Sequence, residues 1–258
     1  MDLIQRAAQE QFQKQSHRYA RGHILEDTRD VAAALADVHL APGSEALDIA
    51  TGAGHTAFYL AAAGLRVTAS DLTPAMLQRV REGAAERGLE LRTNEHSAES
   101  LPYPDATFQL VACRVAAHHF SSPADFVRES ARVLKAGGWF LVIDATVPDD
   151  SPEAEAWLHQ VEKLRDPSHN RLIPPREWRT LCERSGLVIQ KLEIFDRKQP
   201  DLEWYFDAAA TTPENRERVR TLIATASPSV QNEYRLAQED GKTIWYWPTL
   251  TLLARKPA

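Results

Sequence analysis

Short apolar runs alternate with helical periodicities through the middle of the chain, the rhythm of a parallel sheet covered by helices. Ala46-Leu-Asp-Ile-Ala50 predicts a first strand, ended by the glycine turn Thr51-Gly-Ala-Gly54. A helix follows from His55 to about Ala63, with Gly64 placed to stop it. Leu65–Ala69 predicts a second strand that ends at Ser70-Asp71. Thr73-Pro74 then opens a helix with Met76, Leu77 and Val80 on its apolar face, and Gly88 ends it. Leu89–Thr93 alternates and predicts a third, more exposed strand. Phe108–Cys113 is apolar enough for a fourth strand buried on both faces. Pro123 opens a helix that runs through Leu134 and closes at Gly137-Gly138, before a fifth strand, Trp139–Ile143, ending at Asp144.

The last third has a different rhythm. Ser151–Leu164 is an acidic amphipathic helix, Asp166–Asn170 a turn, and Pro174–Arg184 another helix. Val188–Phe195 predicts a sixth strand. Asp201–Asp240 looks mostly helical, broken near Pro213 and Pro228, and Thr243–Leu253 is an aromatic last strand. With no repeat, low-complexity tract or linker, the pattern predicts one α/β domain over 1–258. Residues 1–40 form a helical extension acting as a lid, 41–145 the core, and 146–258 cap helices with the last two strands.

Composition narrows the class. The chain has 258 residues, 43% hydrophobic and 26% charged, the balance of a globular domain. Thirty basic against thirty-six acidic residues give a net charge of −6, which argues against a non-specific nucleic-acid binder. Cys113 and Cys182 lie far apart, as expected of reduced thiols in a cytoplasmic protein. No H-E-x-x-H, Cys/His cluster or carboxylate set suggests a metal. The N-terminus carries no apolar leader, and no run approaches the roughly 20 residues of a membrane helix. The expectation is a soluble, cytoplasmic monomer or homodimer with no membrane or nucleic-acid partner.

Gly52-Ala-Gly-His-Thr-Ala57 fits the G-x-G-x-x-G/A pattern, with Asp71 about 20 residues on at the next strand end. Glycines let a backbone approach a ligand closely, and the acid can accept both hydroxyls of an adenosine ribose. The spacing alone admits either NAD or S-adenosylmethionine (SAM). Asp48, inside an apolar strand just ahead of the turn, favours a cationic cofactor, because a pyrophosphate would be repelled there. An ordinary strand-end aspartate capping the turn is the plainer alternative. An NAD-dependent oxidoreductase, or a SAM-binding protein that does not methylate, remain the other readings.

Four segments in order carry a resemblance: ALDIATGAGHTA, VTASDLTPAML, SAESLPYPDATFQLVACRVAAHHF and RVLKAGGWFLVID. They resemble the class I SAM-dependent methyltransferases, in the branch that includes ubiquinone- and menaquinone-biosynthesis enzymes, over roughly residues 10–144. The resemblance implies a doubly wound, mostly parallel seven-stranded Rossmann-like sheet of order 3-2-1-4-5-7-6 with the last strand antiparallel. It implies that Asp48, Ala50, Gly52 and Gly54 surround the methionine part of SAM. Asp71 would hold the ribose, Leu72 and Met76 would lie against the adenine, and Ala98 and Glu99 at its edge. Arg114 would begin the loop under the sulfonium, with a structural ion pair as the alternative, and Tyr19 resembles a tyrosine that closes over the cofactor.

Methyl transfer is an in-line displacement in which positioning supplies much of the rate, and a base is needed only if the acceptor must lose a proton. Of the pair His118-His119, at the end of the fourth strand, His119 is the expected base. In the Pro-turn after the fifth strand, Arg165 and Arg171 are expected to clamp a small-molecule acceptor, with His169 as acid or base, and an ion-pair network holding the cap helix is the alternative. The late aromatics Trp178, Trp204, Tyr205, Trp245, Tyr246 and Trp247 fit core or lid packing, or an aromatic-lined acceptor cavity.

Overall fold

Leu3–Gln15 (α1) begins with a reciprocal cap, Asp2 accepting from the Gln5 amide while the Gln5 side chain accepts from the Asp2 amide. In this computed structural model residues 1–19 and 23–258 are described, except for the side chains of Arg18 and Tyr19. The expected role of Tyr19 therefore lies outside the described residues. Arg29–Ala34 (α2) leads into the core: β1 (Glu45–Ile49), α3 (His55–Ala62), β2 (Arg66–Asp71), α4 (Pro74–Arg87), β3 (Arg92–Glu95) and β4 (Phe108–Arg114). It continues through α5 (Pro123–Val133), β5 (Leu134–Ala145), α6 (Pro152–Arg165), α7 (Pro175–Arg184) and β6 (Val188–Lys198). Three helices, α8 (Leu202–Ala209), α9 (Pro213–Ala224) and α10 (Pro228–Glu233), precede β7 (Ala237–Glu239), β8 (Lys242–Ile244) and β9 (Tyr246–Arg255).

Seven strands form one sheet in the order β3-β2-β1-β4-β5-β9-β6, while β7 and β8 pair separately. The first five run parallel, and β9 is antiparallel to both β5 and β6. This is the expected order, with the last strand renumbered by the extra hairpin. Alternation along β4 sends Leu110 and Ala112 into one apolar layer with Phe58 and Val80, and Val111 and Cys113 into the other with Phe126 and Trp178. Fully burying such side chains is worth about 1.5–3 kcal/mol each, which is why both faces need helices. The cap has its own apolar cores, one around Tyr234 and Leu158, the other around Tyr205, Phe206 and Trp245.

Three boundaries differ from the sequence expectation. The third strand starts at Arg92, because the Leu89 amide is used to close α4 by donating to Ala84 O at 2.9 Å. The fifth starts at Leu134, with 135–138 bulging out between the pairs Phe108/Leu134 and Leu110/Trp139. Residues 237–244, expected to be helix and then last strand, are a hairpin turned by Asp240-Gly241 at φ 49° and 75°, the two positive angles that a two-residue hairpin turn requires. Among the described residues no helix is long and apolar enough to cross a membrane.

Candidate active site

The parallel strands deliver their C-terminal ends to one edge of the sheet, where ligands bind in such folds. After β1 the chain turns through Ala50 (φ 51°), Gly52 (φ 55°) and Gly54 (φ 93°) into α3. The two glycines serve different ends. A Cβ on Gly54 would stand 2.8 Å from the Phe58 ring and 3.2 Å from Val80, so packing requires its absence. A Cβ on Gly52 would meet no atom within 4 Å and would project into open space. Asp71, at the end of β2, braces this turn by accepting from Gly52 N at 2.9 Å and Thr73 N at 2.8 Å. Burial raises its pKa, against the pull of those amides.

The turn forms the floor of a cavity of about 950 Å³, measured to its open mouth. Of the residues expected at a cofactor, Ala50, Gly52, Asp71, Leu72, Met76, Ala98, Glu99 and Arg114 line it. Asp48 and Gly54 do not. Asp48 is 1% exposed and accepts from Thr51 Oγ at 2.5 Å, the strand-end cap of the plainer reading. Burial pushes its pKa up to about 7. Glu99 is engaged by three segments, accepting from Ser121 through one oxygen and from Ser97 and, on α1, Gln5 through the other. Arg114 binds neither Asp48 nor open cavity: its guanidinium donates to Asp30 at 3.0 Å, to Leu25 O at 2.8 Å and to Asp27 O at 2.6 Å. It straps the N-terminal segment across the sheet edge.

The sequence predicts an N-terminal lid but singles out only Tyr19 in it, not the residues that roof the cavity. Gln5, Gln9 and Phe12, on one face of α1, close the cavity. Gln9 Nε2 donates to Leu72 O at 2.7 Å, and Gln11 and Gln15 donate to Ala209 O at 3.2 and 3.0 Å. The available signal was the run of glutamines at 5, 9, 11, 13 and 15, which looks merely polar but in which Gln9, Gln11 and Gln15 are donors aimed at backbone carbonyls.

A second cavity, of about 910 Å³, lies under the cap and shares Phe12, Leu25, Val115 and His119 with the first. Val115 is at φ 53°, a strained angle for a β-branched residue, which places it between the two spaces. His119, as expected, stands at this junction, 9% exposed, with Nδ1 against Ser168 O at 3.1 Å and its ring edge-on to Phe12. Burial lowers its pKa to about 4, so its imidazole is neutral near pH 7. Arg165 lines the second cavity, donating to Tyr205 O and Glu162 and stacking 4.4 Å from the Tyr205 ring centroid. Trp204 and Trp247 form its aromatic wall.

Two expectations for this cavity are corrected. His169 is 1% exposed and lines neither cavity, because the turn that bonds its amide to Asp166 O folds the ring inward beside His118 and His159. Both its ring nitrogens lack hydrogen-bond partners, and burial holds its pKa far below the usual range. Arg171 turns away to make a two-pronged ion pair with Glu177, six residues on at the start of α7. Neither side chain lines either cavity. Besides His119, the histidines that line the second cavity are His23 and His118, and the His118 Nδ1 lies 2.7 Å from Asp144 Oδ1.

Comparison with known proteins fixes the class. Residues 47–142 match the methyltransferase domain family. YcgJ of Bacillus subtilis, an uncharacterized methyltransferase, is 33% identical over 236 residues, covering 90% of this chain and 92% of its own. The crystal structure of YcgJ superposes with a TM-score of 0.85 at 27% identity, over 90% of this chain and all of that one. A Bacillus halodurans protein solved as a methyltransferase candidate, BH2331, gives 0.84 at 31% identity, over 89% and 100%. The uncharacterized YafE of Escherichia coli is 35% identical over 176 residues, 68% of this chain and 84% of its own. The chain belongs to the class I SAM-dependent methyltransferases. It is an enzyme of methyl transfer, so the oxidoreductase reading falls.

The residues present fit SAM. The open space over Gly52 admits a ligand against the backbone, Asp71 keeps lone pairs on both oxygens beyond the two amides, and Leu72 and Met76 offer an apolar slot.

Proposed function

We propose that the enzyme transfers the sulfonium methyl of SAM to a small molecule held in the second cavity, without a metal. The observation that carries this reading is that the two cavities are adjacent and share Phe12, Leu25, Val115 and His119 in their walls, so that ligands in the two approach each other at those residues. When bound, SAM supplies a methyl group on a positively charged sulfur. Asp71 accepts the ribose hydroxyls, Leu72 and Met76 pack on the adenine, and the loop of Ala98 and Glu99 borders it. Ala50 and Gly52 leave room for the methionine part, and Asp48 supports them from behind through Thr51. Neutral His119 forms the polar side of the junction and Phe12 its apolar side, excluding water from the reacting centre.

Arg165, backed by Glu162 and laid on Tyr205, presents charge and a flat surface to the acceptor. Among the described residues no three His, Cys, Asp or Glu side chains converge as a metal site.

Calorimetry with S-adenosylhomocysteine (SAH) tests the cofactor half, and SAH formation from methyl-labelled SAM with a metabolite panel tests the transfer. Ala208, on α8, lines the second cavity. Ala208→Trp is expected to fill it, abolishing transfer while SAH affinity stays unchanged. Undiminished turnover in a folded Ala208→Trp variant would refute the assignment of that cavity to the acceptor.

A further inference from the structure

Positioning two ligands does not require a histidine clamped by a carboxylate, yet the second cavity contains one. The 3-10 turn Ala117–His119 follows β4, and Asp144 lies at the end of the neighbouring β5. Asp144 Oδ2 accepts from the His118 amide at 3.1 Å, and Oδ1 accepts from Ala145 N at 2.8 Å and faces His118 Nδ1 at 2.7 Å. Two backbone amides thus fix the carboxylate, and the carboxylate fixes the ring. Nδ1 carries the hydrogen and Nε2 the lone pair. Nε2 has no partner among the described residues, and the ring lines the cavity 4.1 Å, centroid to centroid, from His119 at the junction.

The groups facing His118 come from four elements: His119 beside it, Asp144 from β5, Glu162 from α6, and Asp166 and His169 from the turn after α6. Burial disfavours the protonated ring, but Asp144, followed by Glu162 and Asp166, outweighs it, and the net shift of the His118 pKa is upward. His119 and His169 are both shifted down. Of the three histidines, only His118 is built to take up a proton near neutral pH.

Resting on the proposed transfer reaction, we infer that His118 is the general base for the acceptor, that Asp144 is its positioning residue, and that the acceptor is a planar molecule with an acidic hydroxyl, a phenol or enol, lying against Trp204 and Trp247. A neutral amine attacks with its own lone pair and a thiol ionises near pH 8.5 largely unaided, whereas a phenol near pKa 10 gains from a base. Arg165 and Arg197 line the cavity together with Glu162 and Asp166, so its charges are balanced and it is the clamped histidine that sets the preference. The hydroxyl proton passes to Nε2 of His118 as the oxygen bonds to the methyl carbon. The carbon–sulfur bond breaks with its electron pair going to sulfur, leaving a neutral thioether. The imidazolium returns its proton to water after the ether leaves.

The probe is 4-nitrophenol, whose ionised form absorbs in the visible, added to protein saturated with SAH. In the native protein the bound probe is expected to ionise at least one pH unit lower than the free compound. His118→Gln and Asp144→Asn should abolish that shift while SAH affinity, measured by calorimetry on the same samples, stays unchanged. With labelled SAM and a series of phenols, His118→Gln should lower kcat by about 10²–10⁴-fold and remove the rise of kcat/KM with pH through the dyad's titration. Asp144→Asn, close in size and shape, carries the same test should His118→Gln not fold. No binding of the probe to SAH-loaded protein, or an ionisation shift that survives both substitutions, overturns the proposal. Failure to bind SAH at all would instead overturn the cofactor assignment.

Discussion

Arg114→Met removes the strap that holds residues 25–30 over both cavities. The Arg114 side chain is 5% exposed and its partner Asp30 12%, so the pair lies nearly out of water. Removing one member of a buried pair costs about 3–5 kcal/mol when the other charge is left alone. Asp30 is not left alone, because Arg197 also reaches it at 3.0 Å. The ion-pair loss therefore falls to that of one charged hydrogen bond, about 1.5 kcal/mol, and Leu25 O and Asp27 O lose charged donors worth roughly as much between them. The expected loss of stability is roughly 3–4 kcal/mol, or a fall in Tm of about 6–16 °C for a chain of this size. Arg197→Met alone, at a side chain 23% exposed, should cost about 1 kcal/mol. The double variant strands Asp30, so its loss should exceed the sum of the singles by about 1–2 kcal/mol. Urea denaturation of the four proteins gives the cycle, and hydrogen exchange should rise across 25–30 in Arg114→Met. Strict additivity, or an Arg114→Met variant as stable as the native protein, would refute the account of the strap.

Three further outcomes are expected. Asp71→Asn should weaken SAH binding at least about tenfold by calorimetry, and should also lower stability by roughly 1–3 kcal/mol, since one of the Gly52 and Thr73 amides then faces an NH₂ group. Ala50→Gly, which relieves a non-glycine residue at φ 51°, should raise stability by roughly 0.5–1 kcal/mol in urea denaturation. Asp48 has its folded pKa raised to about 7 from an ordinary 3.8, so its contribution is fully present below pH 3.8 and lost as pH rises to about 7. The stability of Asp48→Asn relative to the native protein should therefore climb between pH 4 and 7 and then level off. Histidines 23 and 119, lowered to about 4, push the other way in both proteins and cancel in the difference.

What the sequence made legible was local. The turn after β1 and the acid at the end of β2 are set by glycine conformation and by strand spacing, both visible in a short window. Side-chain direction at the acceptor side was not. His118 and His119 are neighbours, and only the tertiary position of Asp144, 26 residues on, decides which ring is clamped. His169 and Arg171 sit in one polar turn, but the fold buries the first and gives the second to Glu177. The hairpin at Asp240-Gly241 had a local signal, outweighed by the helical pattern around it. The glutamines of α1 carried the least warning, since their partners are carbonyls 63 and 194 residues away.

Those glutamines tie the kinetics of the two ligands together. One helix is fastened to the Leu72 carbonyl beside the first cavity and to the Ala209 carbonyl at the end of α8, whose residues wall the second. It cannot swing clear of one without loosening its hold on the other. On the proposed function, donor and acceptor would share a single door, and the order in which they enter and leave would be governed by one hinge event rather than by two independent ones. Product inhibition by SAH should then depend on whether the acceptor is aboard, a pattern that initial-rate kinetics can read directly.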